Sequence, residues 1–328
     1  MTELRIAVLG AGAWGTALAL AFSARHEVTL WSHAAAEIVA LSTDGENRQF
    51  LPGHPLPASL KIEADLHTAV CGADLALIAT PLAGLRSTAR ALAEAAPALP
   101  FVWVCKGLEA GSGLLPHQVV AEVNPALCGV LTGPSFAAEV ARGLPTAMTL
   151  ASTDAAFAAR IAQALHGNHL RIYASEDVVG AEVGGAVKNV LAIATGICDG
   201  LGLGNNARAA LITRGLAEIT RFGEAMGARR ETLMGLTGVG DLILTCTGDL
   251  SRNRQVGLGL ASGKTLDEVV AALGHVAEGV PASHEVAKRA LALGIDMPIT
   301  NAVCAVLGGK LTPAEAVAQL MNRDPKAE

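Results

Sequence analysis

The stretch Arg5-Ile6-Ala7-Val8-Leu9-Gly10-Ala11-Gly12-Ala13-Trp14-Gly15-Thr16-Ala17-Leu18-Ala19-Leu20-Ala21 decides how the first half of the chain folds. A short apolar run reads as a strand, glycines at the spacing Gly-x-Gly-x-x-Gly follow it, and an alanine- and leucine-rich segment of high helix propensity comes next. In that context Gly10, Gly12 and Gly15 supply a tight turn and a backbone that a pyrophosphate can approach closely. The helix start adds N–H groups and a dipole that hold an anion. The spacing alone also fits an ordinary glycine-rich turn; its place between strand and helix favours a dinucleotide site.

The pattern repeats outward from that unit. Arg5 to Leu9, Val28 to Trp31, Leu75 to Ala79, Phe101 to Val104, Cys128 to Leu131, Ala147 to Leu150 and Leu170 to Ile172 read as strands separated by alanine-rich helical stretches, the alternation of a parallel sheet. From about Asp177 the sequence turns to long helical segments, with only Leu242 to Leu244 left ambiguous. The expected fold is therefore α/β, an N-terminal Rossmann-type doubly wound, mostly parallel sheet followed by an all-α C-terminal domain. The boundary is expected within Ser175 to Lys188, dividing the chain into residues 1–182 and 183–328.

Composition excludes several classes. With 328 residues the chain can bury two sizeable cores. A net charge of -6 argues against a nucleic-acid or anionic-membrane partner, which would need a strong basic excess. The mean hydropathy is positive, yet the long charge-free stretch Val123 to Ala138 is interrupted by Asn124, Pro125, Gly133 and Pro134, and no transmembrane helix is expected. No secretion signal is read at the N-terminus. The six cysteines stand apart with no Cys-x-x-Cys or Cys/His ligand spacing, so reduced, buried thiols of a cytosolic protein are expected and no metal.

At the end of the second strand, where an NAD-specific site offers Asp or Glu to the ribose, the chain reads Trp31-Ser32-His33. Without a carboxylate there to repel a 2'-phosphate, and with His33 able to donate to it, NADPH should be accepted as well as NADH; His33 as a solvated loop residue is the competing reading.

Hydride delivery to a ketone builds negative charge on its oxygen, so the chemistry needs a proton donor, and a phosphorylated substrate needs fixed donors for its dianion. Lys106 in Cys105-Lys106-Gly107-Leu108-Glu109 follows a strand at the carboxyl edge of the sheet, where a solvated loop lysine is equally ordinary. Lys188 and Asn189 interrupt an otherwise apolar run from Val183 to Cys198, and burial of a lysine is expensive unless it is paired or functional. A snorkelling surface lysine is the alternative, but Gly184 and Gly185 would let a ligand approach the backbone. Asp241, in Gly238-Val239-Gly240-Asp241, could pair with a lysine. Arg252 and Asn253, after Ser251, carry planar donors suited to phosphate, or form a plain surface turn.

Taken in order, these segments resemble the bacterial NAD(P)-dependent glycerol-3-phosphate dehydrogenase family over nearly the whole chain. The match runs through the glycine-rich turn, Phe50-Leu51-Pro52-Gly53, Cys105-Lys106-Gly107-Leu108-Glu109 and Gly133-Pro134-Ser135-Phe136-Ala137-Ala138-Glu139-Val140. It continues through Val187-Lys188-Asn189-Val190, Gly202-Leu203-Gly204-Asn205-Asn206-Ala207, Leu236-Thr237-Gly238-Val239-Gly240-Asp241-Leu242, Ser251-Arg252-Asn253 and Val276-Ala277-Glu278-Gly279.

The resemblance implies interconversion of dihydroxyacetone phosphate and sn-glycerol 3-phosphate with NADP(H) or NAD(H), with Lys188 as general acid/base. It implies that Lys106, Gly133, Ser135, Lys188, Asn189, Asp241, Ser251, Arg252 and Asn253 surround the substrate, Lys106 touching the cofactor too. Ala13, Trp14, His33, Ala137, Arg252, Val276 and Glu278 would join the glycines at the cofactor. Three positions depart from the pattern: Ala13 replaces a common serine, Phe50 a common tyrosine and Cys105 a common threonine, which puts cofactor affinity in doubt more than reaction type. The resemblance also implies a cytoplasmic homodimer that supplies glycerol phosphate for phospholipids. The alternatives are a two-domain dehydrogenase of β-hydroxyacids, which the phosphate-type donors disfavour, and a catalytically silent NAD(P)H sensor, which would need a damaged site.

Overall fold

The computed structural model describes residues 3–273 and 277–323. The strands are β1 (Arg5–Leu9), β2 (Glu27–Trp31), β3 (Glu46–Asn47), β4 (Leu51–Pro55), β5 (Lys61–Glu63), β6 (Leu75–Ile78), β7 (Phe101–Trp103), β8 (Cys128–Thr132), β9 (Thr146–Ala151) and β10 (Leu170–Ser175). Between them run α1 (Ala13–Ser23), α2 (Ala35–Asp44), α3 (Leu66–Val70), α4 (Leu82–Ala95), α5 (Pro116–Ala121), α6 (Ala137–Ala141) and α7 (Ala155–Leu165). Then come α8 (Val178–Gly200), α9 (Gly204–Met226), α10 (Arg230–Leu233), a π-helical turn (Leu236–Gly240), α11 (Asp241–Thr247) and α12 (Arg252–Ala261). The last helices are α13 (Leu266–Leu273), α14 (Gly279–Ala292), α15 (Pro298–Leu307) and α16 (Pro313–Met321).

Eight strands form one sheet in the order β10-β9-β8-β7-β6-β1-β2-β5, parallel except where β8 meets β9. Its central strands β1, β6 and β7 read as nearly unbroken apolar runs because both faces are covered there. Ile6 and Val8 enter a layer with Leu18 and Phe22 of α1 and Ile161 of α7, while Ala7 and Leu9 enter the opposite layer with Leu85 and Leu92 of α4 and Val119 of α5. Strand order reverses between β1 and β6, so the carboxyl ends of these two strands bracket the crevice where ligands of doubly wound sheets collect.

The seven expected strands are present, with ends displaced by at most three residues. Three others were not legible. The β3–β4 hairpin and the edge strand β5 are two to five residues long and contain Asn, Pro, Gly, His, Lys and Glu, so no apolar period marks them. The ambiguous run Leu242 to Leu244 lies in α11.

The chain divides into two compact units, Met1–Lys106 with Leu114–Ala181, and Gly107–Gly113 with Glu182–Glu328. Inclusion of the short segment 107–113 in the helical unit has no counterpart in the sequence pattern; there the Gly111 N–H donates to Glu285 at 3.0 Å. Among the described residues, α8 is long and apolar enough to cross a membrane, but 94% of its most apolar stretch is buried within the protein, as in a core helix. Glu182, Lys188 and Asp199 interrupt it, so no charge-free run marks it in the sequence.

Candidate active site

The turn between β1 and α1 is built by what its glycines lack. Gly10 has φ +124°, and a Cβ there would lie 2.8 Å from the Ala79 carbonyl, just past β6. A Cβ on Gly15 would lie 1.9 Å from the Gly10 carbonyl oxygen, so the helix cannot sit this close to the turn with any other residue. At Gly12 a Cβ would meet no atom of the described residues within 4 Å. That open face, a first turn of α1 with no side-chain cap and no acidic residue, fits an anionic pyrophosphate set against backbone N–H groups. Loss of a serine hydroxyl at Ala13 leaves this backbone cradle intact.

Asn47, which sequence reasoning missed, braces the turn from β3. Its side chain is buried; Nδ2 donates to the Ala11 carbonyl at 2.7 Å and to the Thr16 hydroxyl at 2.8 Å, while Oδ1 accepts from the Phe50 N–H at 3.1 Å. All these partners are 3 to 36 positions away, so only a polar residue beside an uninformative hairpin was visible. Trp14 and Ala137 pack into one apolar patch with Ala17, Leu51 and Val140, which fixes the start of α6 against α1.

At the end of β2 the premise of a missing carboxylate is corrected. His33 is exposed, its ring 6.4 Å from that of Trp31. Glu37, in the first turn of α2, folds back and accepts from the Ser32 hydroxyl at 2.5 Å. A carboxylate therefore stands at the strand end, delivered from five residues on. Glu37 and Ala11 also line one small cavity of about 130 Å3, together with Leu41, Asn47 and Phe50.

Lys106, Gly133 and Ser135 converge on one carbonyl. Lys106 Nζ donates to the Gly133 oxygen at 3.3 Å and the Ser135 hydroxyl donates to the same oxygen at 3.1 Å. Gly133 has φ +140° and its missing side chain faces Met148 at 3.1 Å, so the turn after β8 depends on glycine. Cys105 is buried beside Lys106.

In the helical unit Lys188 of α8 and Asp241 at the start of α11 form a buried ion pair, Lys188 Nζ donating to Asp241 Oδ1. The pairing expected of Asp241 is present. The π-helical turn that delivers Asp241 packs its backbone on α8: a Cβ on Gly184 would lie 2.2 Å from the Thr237 carbonyl oxygen. This corrects the role expected of Gly184, whose bare surface is filled by the protein rather than by a ligand. Single π turns of this kind recur at functional sites. Next to the pair lies Cys246, whose burial pushes its thiol up to about 12.

The Ser251-Arg252-Asn253 segment separates into distinct tasks. Ser251 caps α12, its hydroxyl accepting from the Arg254 N–H at 3.3 Å. Asn253 is buried and bridges helices, donating to Asn189 Oδ1 at 3.1 Å and accepting from the Gly279 N–H at 2.9 Å. Arg252 alone is exposed, and among the described residues it makes no hydrogen bond or ion pair. The Asn253 to Gly279 bond sets Glu278, at the start of α14, next to this turn. Val276 lies outside the described residues. Among the described residues no group of three or more His, Cys, Asp and Glu gathers as for a metal.

A sheet whose switch point carries an uncapped, glycine-built anion cradle, and a helical unit holding a buried lysine–aspartate pair, define a dinucleotide-dependent oxidoreductase that acts on a carbonyl or alcohol. Residues 5–158 and 177–318 match the N-terminal and C-terminal models of NAD-dependent glycerol-3-phosphate dehydrogenase. The chain is 61% identical over 327 residues to glycerol-3-phosphate dehydrogenase [NAD(P)+] of Dechloromonas aromatica, covering 99% of each, and 61% identical over 328 residues to that of Aromatoleum aromaticum, covering 99% of this chain and 100% of the other. The crystal structure of glycerol-3-phosphate dehydrogenase from Coxiella burnetii is similar at TM-score 0.94 and 42% identity, over 98% of this chain and 99% of that one. The chain belongs to the NAD-dependent glycerol-3-phosphate dehydrogenase family.

Proposed function

We propose that the chain interconverts dihydroxyacetone phosphate and sn-glycerol 3-phosphate, with Lys188 as the proton donor to the substrate oxygen. The buried ion pair of Lys188 with Asp241 carries this reading, because a lysine is kept in a core only when something there uses its charge. The bound nicotinamide supplies the hydride when the ketone is reduced. The residues of this chain do the rest.

As charge builds on the C2 oxygen, Lys188 gives it a proton and becomes a neutral amine, and Asp241, fixed in α11 by the helix it begins, aims the amine and favours its reprotonation. In the reverse direction Lys188 accepts the alcohol proton. Arg252 is the planar donor that takes the phosphoryl group, an assignment supported by its exposed guanidinium, which has no partner among the described residues. Ser251, Asn189 and Asn253 hold the surrounding backbone. Lys106, Gly133 and Ser135 contact substrate from their shared carbonyl. Gly10, Gly12, Ala13, Trp14 and Gly15 hold the pyrophosphate, with His33, Ala137, Val276 and Glu278 as further cofactor contacts. Family membership further supports a cytoplasmic homodimer whose product feeds phospholipid synthesis.

The test is oxidation of NADPH or NADH, followed at the absorbance of the reduced nicotinamide, with dihydroxyacetone phosphate added. Lys188→Ala should keep cofactor binding while kcat falls by roughly a hundredfold or more. Near-normal turnover would remove Lys188 from the reaction.

A further inference from the structure

Helices α8 and α12 touch backbone to backbone. A Cβ on Gly196 would lie 2.1 Å from the Arg254 carbonyl oxygen, and one on Gly257 would lie 2.1 Å from that of Ile193. Beside this seam Asp199, near the end of α8, accepts from Arg254 of α12 through Nε at 2.9 Å and Nη2 at 2.8 Å on the same carboxylate oxygen. Arg208 of α9 reaches the same carboxylate at 3.2 Å, and Arg254 Nη1 reaches Asp249 at 3.0 Å. The side chains of Arg254 and Asp199 are only 12% and 13% exposed, so the grip between these two is largely desolvated and multiply bonded rather than an exposed pair of negligible worth, while Asp249 at its outer end stands in solvent.

Two consequences follow for the start of α12. The guanidinium of Arg254 is engaged by carboxylates, so it is withdrawn from any ligand. The two arginines and two aspartates cancel in charge, which leaves Arg252 as the positive group of this turn that they do not neutralise. The turn is pinned to α8 twice, through Asn253 on Asn189, the neighbour of Lys188, and through Arg254 on Asp199.

We infer that Asp199 is a positioning residue for the phosphorylated end of the substrate: by gripping Arg254 it fixes the first turn of α12, and so the guanidinium of Arg252, in register with Lys188, which lies on α8 with Asp199. The inference rests on Arg252 being the phosphate donor. Such a residue never touches substrate; its loss lets the anion-binding turn drift, and a drift on the order of 1 Å costs binding and orientation steeply.

The experiment compares Asp199→Asn, Arg254→Lys and Arg252→Ala, with inorganic phosphate as a competitive probe. Asp199→Asn should raise KM for dihydroxyacetone phosphate by on the order of tenfold, with kcat within about twofold and KM for NADPH unchanged. Preference over unphosphorylated dihydroxyacetone and inhibition by inorganic phosphate should weaken by the same factor. Arg254→Lys, which keeps the charge but not the two-pronged grip, should do the same more mildly and serves if Asp199→Asn does not fold. Asp199→Glu should restore most of the affinity. The inference is overturned if KM for dihydroxyacetone phosphate is unchanged in both variants, or if both substrates and kcat deteriorate together. A rise in KM for Arg252→Ala alongside no change for Asp199→Asn defeats the positioning role alone; no effect of Arg252→Ala on KM or phosphate inhibition defeats the phosphate assignment and this inference with it.

Discussion

Lys188 and Asp241 stand 53 positions apart in the chain and meet as an ion pair whose side chains are 7% and 1% exposed. Neither charge is tolerated there alone. Asp241→Ala should destabilise the protein by about 3–5 kcal/mol, because it strands a buried ammonium, whereas Lys188→Met combined with Asp241→Leu should recover most of that loss and none of the turnover. Urea unfolding midpoints and kcat measured on both variants check this. A double variant as unstable as Asp241→Ala would mean that the pair holds the fold and not only the chemistry.

The glycine turn separates a structural from a ligand-facing requirement. Gly15→Ala drives a Cβ to 1.9 Å from the Gly10 oxygen and should lower Tm and abolish cofactor binding together. Gly12→Ala meets no atom of the described residues within 4 Å and has an extended backbone with φ -70°. It should leave Tm unchanged while NAD(P)H affinity falls by roughly tenfold or more, since the methyl occupies the face left for the pyrophosphate. Equal effects of the two substitutions on Tm would refute the distinction.

How much of this was readable beforehand follows from the range of the contacts. The strand, glycine turn and helix at 5–23 carry their information locally, and so did the apolar strands of the sheet. Lys188 stands out because it breaks an apolar run, and charge alone suggests its pairing with Asp241. Asn47, Glu37 and the Asp199–Arg254 grip were invisible because their meaning lies in partners 5 to 55 positions away. The role of Gly184 is hidden for the same reason: a glycine emptied for a ligand and one emptied for the Thr237 backbone look identical in sequence.

Cofactor choice should depend on two groups at the end of β2. Glu37, held on Ser32, opposes a 2'-phosphate, and Glu37→Gln should improve NADPH affinity relative to NADH. His33→Asp adds a second carboxylate and should weaken NADPH more than NADH. Binding titrations with both nucleotides decide; equal changes in the two affinities would remove these residues from the discrimination.

Thiol chemistry offers a check on the packing around Lys188. Burial pushes Cys246 up to about 12, so at pH 8 roughly one molecule in ten thousand would carry the thiolate even if a reagent could enter. Burial raises Cys198 and Cys304 as well, whereas Cys71 is exposed. Brief alkylation of the native protein followed by peptide mass mapping should label Cys71 first and leave Cys246 intact until the protein unfolds. Early labelling of Cys246 would show that the core around the ion pair is open.

Glu218 makes the pH dependence of stability specific. Its buried carboxylate, on α9, accepts from the Ile299 N–H at 2.6 Å, the Thr300 N–H at 3.2 Å and the Thr300 hydroxyl at 3.0 Å, capping the start of α15. Burial nonetheless holds its carboxyl above the ordinary value of 4.5, outweighing the hydrogen bonds that favour the charged form. A folded-state value raised above the unfolded one means stability that is fully present below about 4.5 and is lost as pH rises through the raised value. Glu218→Gln keeps a neutral acceptor and no longer titrates, so the stability of the wild type relative to this variant should be greatest near pH 4 and should shrink by pH 7. Denaturant unfolding across that interval tests it, and curves that stay parallel would show that Glu218 does not titrate in the folded protein.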